Sequence, residues 1–136
     1  MLNLTNNNIE LQIGYAGFNN LRETIAFLTA KDIGEHYRNL KKAPRCDSPS
    51  RKQFFKDYNK KISFLDKKYN YEYENILDFL YACDCGGTVD LETCKDIYNI
   101  IKDYKNNDTF SEDCTFEDFK NLLKDCIEKE IGFEWY

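Results

Sequence analysis

Apolar residues recur three and four positions apart in six separate stretches, and this spacing restricts the fold more than any other feature of the chain. Phe18, Leu21, Ile25 and Leu28 make the first; Ile33, Tyr37 and Leu40 continue past Gly34 to about Lys42. Phe54, Tyr58, Ile62 and Leu65 then mark a long basic helix, and Tyr73, Ile76, Leu77, Leu80 and Tyr81 a further one stopping near Cys85-Gly86-Gly87. Leu91, Cys94, Ile97, Tyr98 and Ile101 define the next, and Phe119, Leu122, Leu123 and Cys126 the last. That period is the signature of helices with one buried face. With only two prolines and six glycines among 136 residues, little interrupts them.

Two segments have the other period. Ile9 to Tyr15 alternates apolar and polar side chains, as a half-buried strand does, and Gly132 to Tyr136 is short, aromatic and alternating. The expectation is a mainly α, small helical domain of five to six helices, its short N-terminal strand paired with the C-terminal tail. Residues 1–136 read as a single domain with a linker-like break around 43–50, where Pro44 and Pro49 flank Cys46-Asp47-Ser48.

Local signals place the boundaries. Gly14 and Gly17 predict a turn before the first helix, with Asn19 and Asn20 as caps; Ser50 is the expected N-cap of the basic helix, and Thr88 or Asp90 that of the helix from Leu91. Asn106-Asn107-Asp108 reads as a loop, and Thr115-Phe116-Glu117-Asp118 as a capping box. The stretch around Gly87 has the outline of half a calcium loop, but Ala82, Gly86 and Thr93 stand where oxygen ligands are needed, so calcium is not expected.

Charge is divided along the chain. The formal charge of −5 resolves into a middle segment, residues 31–68, with twelve Lys or Arg against five acids, and a second half, residues 69–136, with six Lys against seventeen acids. One face for anions and another for cations or a basic protein is one implication; mutual attraction of two solvated halves is the plainer one. Lysine outnumbers arginine and the whole is acidic, so sequence-specific nucleic-acid reading is not expected.

Six cysteines lack the spacing of a zinc knuckle, and His36 is the only histidine. Buried thiols are expected, with Cys94 and Cys126 in phase with their helices' apolar faces; no metal or cofactor is called for. Neither a signal peptide nor an apolar run long enough for a membrane is visible, so the expected location is the cytoplasm of the cell that makes it, with no membrane partner. No nucleophile elbow, zinc-protease motif or Walker loop is present, and an enzyme is not expected.

The segment from Gly14 to Arg22 is the candidate site. A glycine turn feeding a helix directs backbone N–H groups and the positive dipole end outward, which favours phosphate. Tyr15 offers a ring for stacking a base, and Arg22 a bidentate phosphate contact. The expected ligand-binding set is Tyr15, Asn19, Arg22, His36, Arg38 and Lys41, with no catalytic residue. The plainer alternative has the glycines only turning the chain and Arg22 paired with an acid such as Glu35.

The pattern Gly14-Tyr15-x-x-Phe18-Asn19-Asn20-Leu21-Arg22, then Gly34-Glu35-His36-Tyr37, Leu77 to Ala82, Asp84-Cys85-x-Gly87-Thr88 and the ending Trp135-Tyr136 resembles small uncharacterised proteins of phages and mobile elements in Gram-positive bacteria. That resemblance implies a non-enzymatic counter-defence protein working by binding in the cytoplasm of a bacterial host cell. Two modes follow: sequestration of a host immune nucleotide, a small anionic ligand, or inhibition of a host defence protein through the acidic helices, as anti-CRISPR proteins act. The aromatic tail is compatible with a homo-oligomer.

Overall fold

The computed structural model describes residues 1–105, 109–111 and 114–136. In chain order the elements are strands β1 (Leu2–Thr5) and β2 (Glu10–Ile13), helices α1 (Tyr15–Thr29) and α2 (Lys31–Arg38), and a 3-10 turn at Asn39–Lys42. Helices α3 (Pro49–Lys68) and α4 (Glu74–Tyr81), strand β3 (Gly87–Val89) and helix α5 (Leu91–Ile101) follow. Strands β4 (Thr109–Ser111) and β5 (Cys114–Thr115), helix α6 (Phe116–Lys129) and strand β6 (Phe133–Trp135) complete the chain. The expected loop at 106–108 lies outside the described residues.

Helix dominates, as its periodicity requires, but a four-stranded antiparallel sheet in the order β2-β1-β6-β3 stands beside it. Leu2, Leu4, Leu11, Ile13, Val89, Phe133 and Trp135 are buried, while Glu10, Gln12, Thr88 and Glu134 are exposed. This is the alternation of a sheet with one covered face. Trp135 is buried beside Phe18 (ring centroids 5.6 Å apart) and Phe79 (5.8 Å), so the tail anchors α1 and α4 on the sheet.

The tail does pair with an N-terminal strand, but with β1, Leu4 opposite Trp135, rather than with the segment from Ile9. Leu2 and Leu4 alternate with Asn3 and Thr5 in a stretch whose asparagines obscure the pattern. Those asparagines build the β1–β2 turn: Asn6 Oδ1 accepts from the backbone N–H of Asn8 (3.0 Å) and of Ile9 (2.8 Å), and Asn7 takes φ 71°, a left-handed value asparagine tolerates. Strand β3 also replaces part of an expected loop. Gly87 pairs with Trp135, and a Cβ there would lie 2.4 Å from the indole, so glycine lets the strand approach.

Helix α1 starts earlier than its glycines suggest. Gly14 is its N-cap and Gly17 lies inside the first turn, where a Cβ would fall 2.1 Å from the Phe110 carbonyl oxygen. Gly17 is therefore a packing residue against β4, and Asn19 and Asn20 are helical rather than caps. The basic helix is capped by Ser48, whose Oγ accepts from Arg51 N–H, with Pro49 at the first helical position; Ser50 is already inside. Asp90 caps α5, and Thr115 and Asp118 form the capping box of α6.

Of the six cysteines, Cys94, Cys114 and Cys126 are buried as expected. Cys46 is exposed, and Cys83 and Cys85 are joined to each other on an exposed turn, so burial describes only half of them. None of the helices is long and apolar enough to cross a membrane, among the described residues.

Candidate functional site

Helix α3 contributes few buried side chains to the core. Over twenty residues only Tyr58 and Leu65 are buried, because the lysines at 52, 56, 60, 61, 67 and 68 keep its other faces in water. Between α3 and the body formed by α1, α2 and α4 lies a cleft of about 540 Å³.

Asn19 and Arg22 of α1 form part of its lining, with Tyr37 of α2 and Leu40 of the following turn. Ala43 and Arg45 come from the connecting loop; Arg51, Phe55, Tyr58, Asn59 and Ile62 from α3; and Leu80, Tyr81, Ala82 and Asp84 from the end of α4 and the turn beyond. The lining carries three guanidiniums and one carboxylate. Three of the chain's four arginines line the cleft, and none of its fifteen lysines does.

Arg22 is 4% exposed. Its Nη1 donates to the Ala82 carbonyl oxygen at 2.8 Å and approaches that of Phe79 at 3.5 Å, and Nη2 donates to Asn19 Oδ1 at 3.3 Å. The guanidinium thus binds carbonyls that the last turn of α4 leaves free. Its face covers the Phe18 ring at 4.4 Å, and no carboxylate pairs with it among the described residues. Nε is buried without a partner. A buried charge so placed loses hydration with no counter-ion to offset the loss.

Arg51 donates to the Pro44 carbonyl oxygen at 2.6 Å and covers Phe55 at 4.8 Å, which fixes it at the wall; Arg45 is exposed at the rim.

The rings are clustered behind them. Tyr58 stacks on His36 with centroids 3.9 Å apart and on Phe54 at 5.7 Å, and Tyr81 meets both His36 and Tyr58 edge-on. His36 Nε2 lies 3.1 Å from the Tyr58 carbonyl oxygen, which can only accept, so Nε2 carries the proton. Nδ1, 2.7 Å from the Tyr81 hydroxyl, then accepts from it. Burial, with Lys61 adding repulsion, holds the imidazole's pKa below its ordinary value. Burial likewise raises the Tyr37, Tyr58 and Tyr81 hydroxyls, which stay protonated donors. The Tyr58 hydroxyl is buried beside the Tyr81 hydroxyl, which is already committed to His36.

Of the six residues expected from sequence, Asn19 and Arg22 line this cleft and His36 supports its tyrosines. Arg38 and Lys41 share the Glu23 carboxylate, at 3.3 and 3.7 Å, which offsets one of their two charges. Lys41 lines a neighbouring pocket of about 250 Å³ that shares Asn19, Tyr37 and Leu40 with the cleft. Tyr15 is exposed at the start of α1 and is not part of the lining. The alternative partner for Arg22 is also excluded, since Glu35 pairs with Lys31 at 3.9 Å.

Sequence reasoning passed over Arg45, Arg51, Tyr37, Phe55, Tyr58, Tyr81 and Asp84. The available signal was the rarity of arginine in a segment otherwise supplied by lysine: guanidinium is the less strongly hydrated cation and the one suited to partly buried, bidentate anion contacts. No protein-family model, curated protein or solved structure matches the chain.

Proposed function

We propose that this protein binds a small anionic nucleotide in the cleft beside α3 and sequesters it without chemical change. The observation that carries the reading is Arg22: a buried guanidinium with no carboxylate partner and a free Nε, lining a cleft with Arg45 and Arg51. A phosphate in the cleft would supply the missing counter-ion to Arg22 and accept from Arg45, which is exposed at the rim. Phe55, half-buried in the lining, supplies a ring for a base, and about 540 Å³ is within the usual range for small-molecule sites.

The same geometry supports binding rather than turnover. The histidine has both nitrogens committed to Tyr58 and Tyr81, and general-base work would need one of them free toward the ligand. The resemblance to phage and mobile-element proteins supplies the biological setting: removal of a host immune nucleotide by tight, stoichiometric capture. Inhibition of a defence protein through the acidic helices is the second reading: Glu92, Glu117 and Asp125 pair with Lys95, Lys120 and Lys129, but most of the seventeen acids in residues 69–136 have no lysine to match them.

The test is calorimetric titration with mononucleotides, cyclic dinucleotides and ADP-ribose-type ligands, followed by denaturation and chromatography of the released ligand. Saturable binding of one member and its recovery intact are expected. A panel with no binding overturns the reading, and an altered ligand overturns sequestration in favour of catalysis.

A further inference from the structure

The turn after α4 holds a second chemical feature, independent of the cleft's ligand. Cys83 and Cys85 are bonded to each other and exposed, whereas Cys94, Cys114 and Cys126 are buried. A bridge between cysteines two residues apart joins no two elements and closes the kind of short loop that restrains the unfolded chain least. The turn has other anchors: Trp135 Nε1 donates to the Cys83 carbonyl oxygen at 3.1 Å, and Arg22 to that of Ala82 at 2.8 Å. Opening the bridge therefore leaves the fold held.

The two sulfurs differ. The backbone N–H of Cys85 donates to Cys83 Sγ at 3.4 Å, a contact that favours a thiolate on Cys83 once the bridge is open. The Asp84 carboxylate between them is the opposing charge.

We infer that Cys83 and Cys85 form a reversible thiol–disulfide centre that exchanges with small disulfides, with Cys83 as the attacking sulfur. In the dithiol form the Cys83 thiolate attacks one sulfur of a low-molecular-weight disulfide, forms a mixed disulfide and expels one thiolate. Cys85 gives its proton to solvent, and its thiolate attacks the Cys83 sulfur, closing the bridge and expelling the second thiolate. Two protein thiols are oxidised as one small disulfide is reduced to two thiols, and a dithiol reductant runs the sequence backward.

The test uses the full chain with Cys46→Ser, which removes the other exposed thiol, equilibrated in buffers of graded glutathione to glutathione disulfide ratio. Samples are acid-quenched, alkylated and weighed by intact mass spectrometry, and circular dichroism is recorded for both forms. A two-electron transition within the range, with unchanged helix content, is expected. Adding Cys85→Ser should trap glutathione on Cys83 at least tenfold faster than Cys83→Ser traps it on Cys85. A bridge that never exchanges across the range, or whose reduction unfolds the protein, overturns the proposal. Equal trapping rates overturn the assignment of Cys83 as the attacking sulfur. None of these readings depends on a nucleotide in the cleft.

Discussion

The Arg22 guanidinium donates to the Ala82 carbonyl oxygen at 2.8 Å, so one buried cation both closes the end of α4 and forms part of the cleft lining. Two effects of about 1–3 kcal/mol oppose each other there: lost hydrogen bonds at the carbonyls and recovered desolvation of the unpaired charge. Arg22→Met keeps the bulk and removes the charge. Its unliganded stability in urea is expected to change by no more than about 1 kcal/mol, the two effects nearly cancelling. The wild type should gain melting temperature with added pyrophosphate at constant ionic strength, and the variant should not. A variant that still responds to pyrophosphate would place the anion elsewhere.

Gly17→Ala sets helix propensity against packing. Alanine is favoured over glycine inside a helix by about 1 kcal/mol. Its Cβ would lie 2.1 Å from the Phe110 carbonyl oxygen, a backbone atom that cannot move without shifting β4. Packing should win, with a net loss of about 1–3 kcal/mol measured by urea unfolding. A gain in stability would show that β4 yields freely to α1.

These residues also show what the sequence could disclose. The helices were legible because burial imposes a period of three and four, and the α6 capping box because Thr115 and Asp118 satisfy backbone groups within one turn. β1 and β3 were hidden: four and three residues carry too little alternation, and their pairing partner β6 lies at the far end of the chain. The cleft had the same obstacle. Arg22 was visible as a candidate, but Arg45, Arg51, Tyr58 and Tyr81 acquire meaning only when α3 folds back against α1 and α4, a tertiary event no local pattern encodes.

His36 links stability to pH. Burial depresses its folded pKa below the ordinary value near 6.5, so the folded state takes up a proton less readily than the unfolded chain. Its contribution is complete above that ordinary value and is lost as pH falls from there toward the depressed folded value. Protonation would also turn Nδ1 from acceptor to donor against the Tyr81 hydroxyl. The difference in unfolding free energy between pH 7.5 and pH 5 should therefore shrink in His36→Gln. An identical pH dependence in wild type and variant would assign the acid sensitivity to other groups.

Tyr58 and Tyr81 offer a paired test of which hydroxyl serves the fold and which serves a ligand. The Tyr81 hydroxyl donates to His36 Nδ1, so Tyr81→Phe leaves that nitrogen unpaired and should cost about 1–2 kcal/mol. The Tyr58 hydroxyl is buried with only the already committed Tyr81 hydroxyl beside it, while its ring is held between His36 and Phe54. Tyr58→Phe keeps the stacking and discards only a weakly satisfied hydroxyl, so the stability of the unliganded protein should change by less than about 0.5 kcal/mol. If the hydroxyl is a donor reserved for a ligand in the cleft, the same change should weaken nucleotide binding by about three- to tenfold, the worth of one hydrogen bond. Calorimetry on both variants, with urea unfolding alongside, separates the roles. Unchanged nucleotide affinity in Tyr58→Phe would remove this hydroxyl from the binding site, and a loss of stability there would show that it has a partner in the folded chain.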